Sequence, residues 1–303
     1  MLIRHIQALV RDHYVFPDVA ARICTALDGV RLTGADDADT ADTLTRALQS
    51  VNGDRHLRVR HYPDGVPPAE DDAAVDAWLG ELARAQGAGI TLVRLLDGNV
   101  GLIDVGPVVP LPEHVGPAAA AAFTLLHGVT RIVLDVRRCV GGVPASIALI
   151  VSHLVGDEPV HLQDLVTRDG TATPTWTTPS VQPRLPSDVP VDVLTSARTF
   201  SGGEELAYDL QALGRARVVG ETTGGGAHPR DAFDLGPRLQ LHVPTARSVN
   251  AVTGANWEGT GVVPDLPCPA EDALEVALET PTSRPQRAAA DAADPTAPAP
   301  LVS

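Results

Sequence analysis

The stretch VDVLTSARTFSGGEELAYDLQALG, residues 191–214, reads as a buried strand, a polar turn and a helix, and it decides the fold. Val191 to Leu194 has the length and β-branched character of a core strand. Leu206, Leu210 and Leu213 recur at helical spacing, so the helix opens just after Ser201. The first amides of a helix have no intrahelical acceptor and lie at the positive end of its dipole. Ser201 thus stands where a nucleophile would find oxyanion-binding amides at hand, and glycines at 202 and 203 let a substrate carbonyl approach the backbone closely. Ser and Thr are also ordinary helix caps, so this segment alone is compatible with a capping role for Thr199 and Ser201.

The choice of base is narrowed by composition. All 23 positions counted as Lys+Arg are Arg, which rules out a Ser–Lys dyad and leaves His or a carboxylate to activate Ser201. With 303 residues and 44% hydrophobic content, the chain can bury one large core or two modest ones. Its net charge of -15 repels phosphate backbones, and few aromatics are available for base stacking, so nucleic acid is not an expected partner. Cys24, Cys139 and Cys268 are far apart and form no Cys/His cluster, so neither a disulfide framework nor a metal site is expected, and a cytoplasmic setting is. Charges interrupt the apolar N-terminus, which does not resemble a signal peptide. The longest apolar run, Pro117 to Leu126, is too short to span a bilayer, so no membrane association is expected. No cofactor is implied.

Working outward, three helical patterns precede most of the strands. One starts at Pro17 and Asp18 and carries Val19, Ile23 and Leu27. A second places Leu44, Leu48 and Val51 on one face behind an Asp/Thr run suited to its N-terminus. The third spans Glu70 to Gln86, with Val75, Trp78, Leu79 and Leu82 together. From residue 90, strand and helix signals alternate. ITLVRLL and VGLIDV flank the Asp97-Gly98-Asn99 turn of a hairpin. RIVLDV (131–136), a helix from Pro144 to about Leu154, RVVG (217–220), LQLHVP (239–244) and a last helix, Glu271 to Glu279, complete the pattern. Continuous apolar strands followed by helices predict an α/β core, and the Pro/Ala-rich residues 281–303 read as a disordered tail.

Two more glycine turns follow strands. DVRRCVGG (135–142) places Gly141 and Gly142 between a strand and a helix as a second source of oxyanion amides. GETTGGGAHP (220–229) lacks the Lys of a P-loop, so phosphate cradling is a poor reading. Of the ten histidines, His56 lies in NGDRHLRVRHY at the start of an alternating strand, which would hold it rigidly. His228 lies in the glycine loop, read as flexible.

Taken together, TFSGGEELAYDLQALGRARVVGETTGGGAHP, DVRRCVGG, the DRHL segment and NWEGTGVVPD resemble the S41 serine peptidases, in the branch of the tricorn core protease and the interphotoreceptor retinoid-binding protein modules. The resemblance runs from about Tyr14 to Ala277, with four motifs in order. It implies a crotonase-like α/β core (76–280) behind a helical N-terminal subdomain (1–75) that carries the His-containing strand. The Ser–Lys branch has a Lys where this chain has GETTGGGA, and residues 57–98 are too few for its PDZ domain plus the strands. By resemblance, Ser201 is the nucleophile, His56 its general base and Glu258 the acid that supports the histidine. Gly202 with Gly141 or Gly142 supplies the oxyanion hole. The chain departs from the pattern at Arg55, where tricorn-like proteins have Ser, and at Gly203 and Cys139. The implied activity is hydrolysis of a peptide or related small amide through an acyl-enzyme. A carrier of lipophilic ligands and a biosynthetic acyl-transfer or cyclising enzyme are the alternatives on the same fold.

Overall fold

The computed structural model describes residues 1–32, 36–66, 80–81 and 83–281. The tail from 282 and most of the third predicted helix lie outside the described residues, although 80, 81 and 83–85 are helical. The frame of the molecule is a six-stranded sheet. Its strands lie in the order Leu266–Pro267, Arg217–Gly220, Val191–Thr195, Arg131–Asp135, Val100–Val105 and Ile90–Leu96. All neighbours are parallel except the last pair, an antiparallel hairpin whose turn places Gly98 and Asn99 at φ 75° and 60°. The two inner strands 131–135 and 191–195 are buried along their whole length, which is why their sequence shows no polar alternation. Helices Pro112–Leu125, Pro144–Ser152 and Gly202–Ala212 pack together over one face with Ile103, Ile132, Leu134 and Val193. Ala273 and Ala277 of the last helix, Ala273–Glu279, cover Val133, Leu194 and Val219 on the other.

A second unit joins distant parts of the chain. Strand Arg58–His61 pairs antiparallel with Leu239–Pro244, which pairs with Arg230–Asp234. One face of this three-stranded sheet buries Val59, Leu241 and Val243 against Ile6, Val10, Ile23, Leu27, Leu44 and Leu48 of three N-terminal helices. Helices Pro17–Asp28 and Asp37–Gln49 follow the predicted starts, and Asp36 caps the latter by accepting from the Asp39 amide at 2.8 Å. Helix Leu2–His13 is an addition to the expected set, because Arg4 and His5 between Ile3 and Ile6, and Arg11 and Asp12 after Val10, mask its apolar face in the linear sequence. A further antiparallel sheet, Ala246–Asn250, His161–Thr167 and Ala172–Trp176, was not expected either, since its strands are polar and partly exposed. No helix among the described residues is long and apolar enough to cross a membrane.

Candidate active site

Ser201 stands at the junction of strand and helix with φ 52° and ψ -120°, one of the few non-glycine residues here with positive φ. A non-glycine residue held in this region is strained, and such strain persists where the surroundings over-determine it. The surroundings do so. The Ser201 amide donates to Glu204 Oε2 at 2.8 Å, and Phe200 N donates to Cys139 O at 3.0 Å. A Cβ on Gly202 would lie 2.5 Å from the Gly142 amide nitrogen, so the Gly141–Gly142 backbone rests directly on the first turn of the Ser201 helix. A Cβ on Gly203 would lie 2.9 Å from Cys139 Cβ. Two of the three departures noted in the sequence, Gly203 and Cys139, thus meet in space, the cysteine filling the room that a side chain at 203 would need. Burial pushes the Cys139 thiol up to about 12, so it is a packing group and not a nucleophile.

Ser201, Gly141, Gly142, His56 and His228 line one cavity of about 880 Å³. His56 is 5% exposed, and its ring packs on Phe200 with centroids 4.7 Å apart. Gly226 permits this stack, for a Cβ there would lie 2.8 Å from His56 Cε1. Burial lowers the His56 pKa to about 4, with the Asp54 carboxylate opposing and Arg230 and Arg58 adding to the fall. The ring is therefore neutral at pH 7, the form a general base needs. Arg55 donates to Gly224 O at 2.8 Å and lies 5.2 Å over the Phe200 ring, so it clamps the glycine loop to the histidine. A guanidinium accepts no hydrogen bond, so no proton relay passes through this position.

The 220–229 loop is held firmly and is not the flexible segment its glycines suggested. Glu204, buried at the third helical position, accepts from the amides of Gly225 (2.6 Å) and Gly226 (2.8 Å) and from the Thr223 hydroxyl (2.5 Å). Trp257 Nε1 donates to Gly226 O at 2.8 Å. His228 is consequently 4% exposed, with Nδ1 2.8 Å from Asp54 Oδ2. Asp54 also accepts from Tyr14 Oη (2.9 Å) and from the His56 amide (3.0 Å). Burial works against its charge, but the bonds from His228 and Tyr14 hold its carboxyl below the usual range.

Glu258 accepts from the Ala227 amide at 2.6 Å and lies 3.5 Å from His228 Nδ1. Its link to the His56 segment runs through His228 and Asp54. Burial raises the Glu258 carboxyl to about 7, opposed by His228. Asp54, His228 and Glu258 converge closely enough to hold a cation, but Asp54 Oδ2 already accepts from two donors, so the cluster reads as a hydrogen-bond chain. Sequence reasoning did not single out Asp54 or Glu204 for the site. Glu204 had a local signal, the Ser-x-x-Glu spacing of a capping box. Asp54 had none, since its partner His228 is 174 residues away.

Residues 108–268, more than half of the chain, match the family described as Peptidase family S41. The protein belongs to peptidase family S41. Residues 1–87 of this S41 protein match the N-terminal domain of Peptidase_S41 in eukaryotic IRBP. Its structure is similar to that of a putative peptidase from Parabacteroides merdae, with TM-score 0.62, 17% identity, and 91% of this chain and 94% of that one covered. The photosystem II D1 C-terminal processing protease gives TM-score 0.54 at 18% identity, covering 89% of this chain and 93% of that one. The tricorn protease gives 0.51 at 15% identity, with 90% of this chain covering 35% of that one. At these identities the likeness is one of fold, a mixed α/β arrangement of sheets and helices.

Proposed function

We propose that this S41 protein is a serine hydrolase that cleaves a peptide or related amide bond through an acyl-enzyme, with Ser201 as nucleophile. The observation that carries the reading is the strained Ser201 at a strand-to-helix turn, on the wall of a cavity shared with two buried histidines and two glycine turns. His56, neutral and stacked on Phe200, takes the Ser201 proton as the hydroxyl adds to the substrate carbonyl. The Gly202 amide, which has no acceptor within its helix, joins the Gly141 or Gly142 amide around the oxyanion. The leaving amine takes the proton, and water then releases the acyl group by the same route. Glu258 supports the base through His228 and Asp54.

A second reading makes His228 the base, favoured by its 2.8 Å contact with Asp54, the pairing that orients a catalytic imidazole. The wider reading takes the six-stranded sheet as a crotonase-like core and divides the chain near residues 75 and 280, with strands 230–234 and 239–244 returning to the N-terminal unit. Three free cysteines suit a reducing, cytoplasmic setting.

A fluorophosphonate tests the proposal. It should add one adduct to the intact mass, mapped to Ser201, and Ser201→Ala should stop labelling and turnover, a loss on the order of a million-fold. An unlabelled, folded protein that binds lipophilic ligands tightly would instead be a carrier.

A further inference from the structure

The three-stranded sheet has two faces of opposite character. In a strand, alternate side chains point to opposite sides. Val59, Leu241 and Val243 face the N-terminal helices, so Arg58, Arg60 and Arg230 face the other way and line the cavity that holds Ser201. Register brings them together: Arg58 lies opposite His242, and Arg230 is two residues before Ala232, the other partner of His242. Burial lowers the His242 pKa to about 2, and the charges of Arg230, Arg58 and Arg60 add to the fall.

None of these arginines is ion-paired to a carboxylate among the described residues. Arg60 lies 5.4 Å over the Tyr62 ring, and Arg58 Nε is buried without a partner. Nearby acids are engaged elsewhere. Asp54 is bound by Tyr14, His228 and the His56 amide, and Asp234 accepts from Gln240 at 3.0 Å. Glu205, which also lines the cavity, accepts from Gln163 at 2.5 Å, and burial beside Asp209 raises its pKa well above the usual range, so it favours the neutral form. A chain with net charge -15 thus gathers three guanidiniums, none paired to a carboxylate among the described residues, on the lining of the cavity that holds Ser201. Clustered like charges repel, and an anion that accepts from their planar forks removes the cost.

We propose that Arg58, Arg60 and Arg230 form a substrate-binding subsite for a carboxylate, so that the peptide cleaved at Ser201 is acidic close to the scissile bond. The inference rests on the hydrolase reading for the cleavage and on the arginine geometry for the anion. The carboxylate is that of an Asp or Glu side chain or of a chain terminus.

The two sources separate in a binding experiment. Neutral-dye-labelled pentapeptides are titrated by fluorescence anisotropy into the full Ser201→Ala chain, where no turnover consumes the probe. An Ala-Glu-Ala-Glu-Ala amide should bind about tenfold or more tightly than its Gln counterpart, the gain of a charge-assisted pair. An all-Ala pentapeptide with a free C-terminus, against its amide, reports the terminal carboxylate in the same way. Whichever gap is found should close in Arg60→Gln, which is exposed and expected to keep its melting temperature, and in Arg230→Gln. Equal affinities within both peptide pairs overturn the subsite, as does a gap that survives both substitutions. Failure of wild-type Ser201 to label, with the gap intact, would remove the hydrolase and leave the anion site. Labelling with no gap would remove only the subsite.

Discussion

The two walls of the cavity are built on opposite principles. On the Ser201 wall, position is fixed by exclusion: glycines at 202, 203 and 142 leave no room for a Cβ, and the Glu204 carboxylate is saturated by four donors. On the arginine wall, Arg58, Arg60 and Arg230 carry charge that no described carboxylate neutralises. Elsewhere the same residue type is used differently, for Arg131 and Arg217 both bond the fully buried Asp192 that ties adjacent strands together. The contrast separates two tasks. Bond making needs atoms held to within a fraction of an ångström, whereas recognition of an anion needs charge left without an internal partner.

The sharpest way to break the comparison is to remove the proposed base. His56→Gln should lower the fluorophosphonate labelling rate on the order of 10⁴-fold while the circular dichroism spectrum is retained. If His228→Gln produces that loss and His56→Gln does not, the base belongs to the Asp54-bound histidine. On the rigid wall, Gly202→Ala forces the Gly142 backbone away, since the new Cβ would meet its amide nitrogen at 2.5 Å. Labelling should fall by about 10²–10³-fold, the cost of losing an oxyanion donor. The overpacking should also lower unfolding stability by about 1–3 kcal/mol in urea titration. Full labelling in this variant would show that these amides do not bind the oxyanion.

A smaller effect should come from Glu258→Gln, about tenfold in labelling rate, because the nucleophile and its neighbours stay in place. Its signature is in the pH profile. The Glu258 carboxyl, lifted to about 7 by burial, ionises across neutral pH, so the wild-type rate should rise as pH increases through 7 and the variant should lack that step. The His56 limb lies lower. Burial depresses its pKa to about 4, so the neutral base persists below the ordinary imidazole range and the rate is lost only as pH falls through 4. In Glu258→Gln, where the step near 7 is gone, a limb near about 6.5, the ordinary imidazole value, would mean that the acting histidine is solvated.

Local order determined what could be read from the chain directly. The all-apolar 191–195 run, the leucines at 206 and 210, and the Asp97-Gly98-Asn99 turn each encode their geometry within a few residues, because backbone periodicity fixes which side chains share a face. The same reasoning put Ser201, Gly202 and the Gly141–Gly142 turn at strand-to-helix junctions, but it did not single out the Glu204 carboxylate that holds the Ser201 turn. The charged wall was not legible. Arg58, Arg60 and Arg230 meet only because strand 58–61 pairs with 239–244 and that strand with 230–234. His228 and Asp54 touch across 174 residues, and Glu258 comes beside them through a third segment. Pairings of that separation depend on the order of strands in a sheet and on which helices close over it, so no local pattern announces them. Sequence by itself determined the turn at Ser201. Only the tertiary structure decided which charges share its cavity.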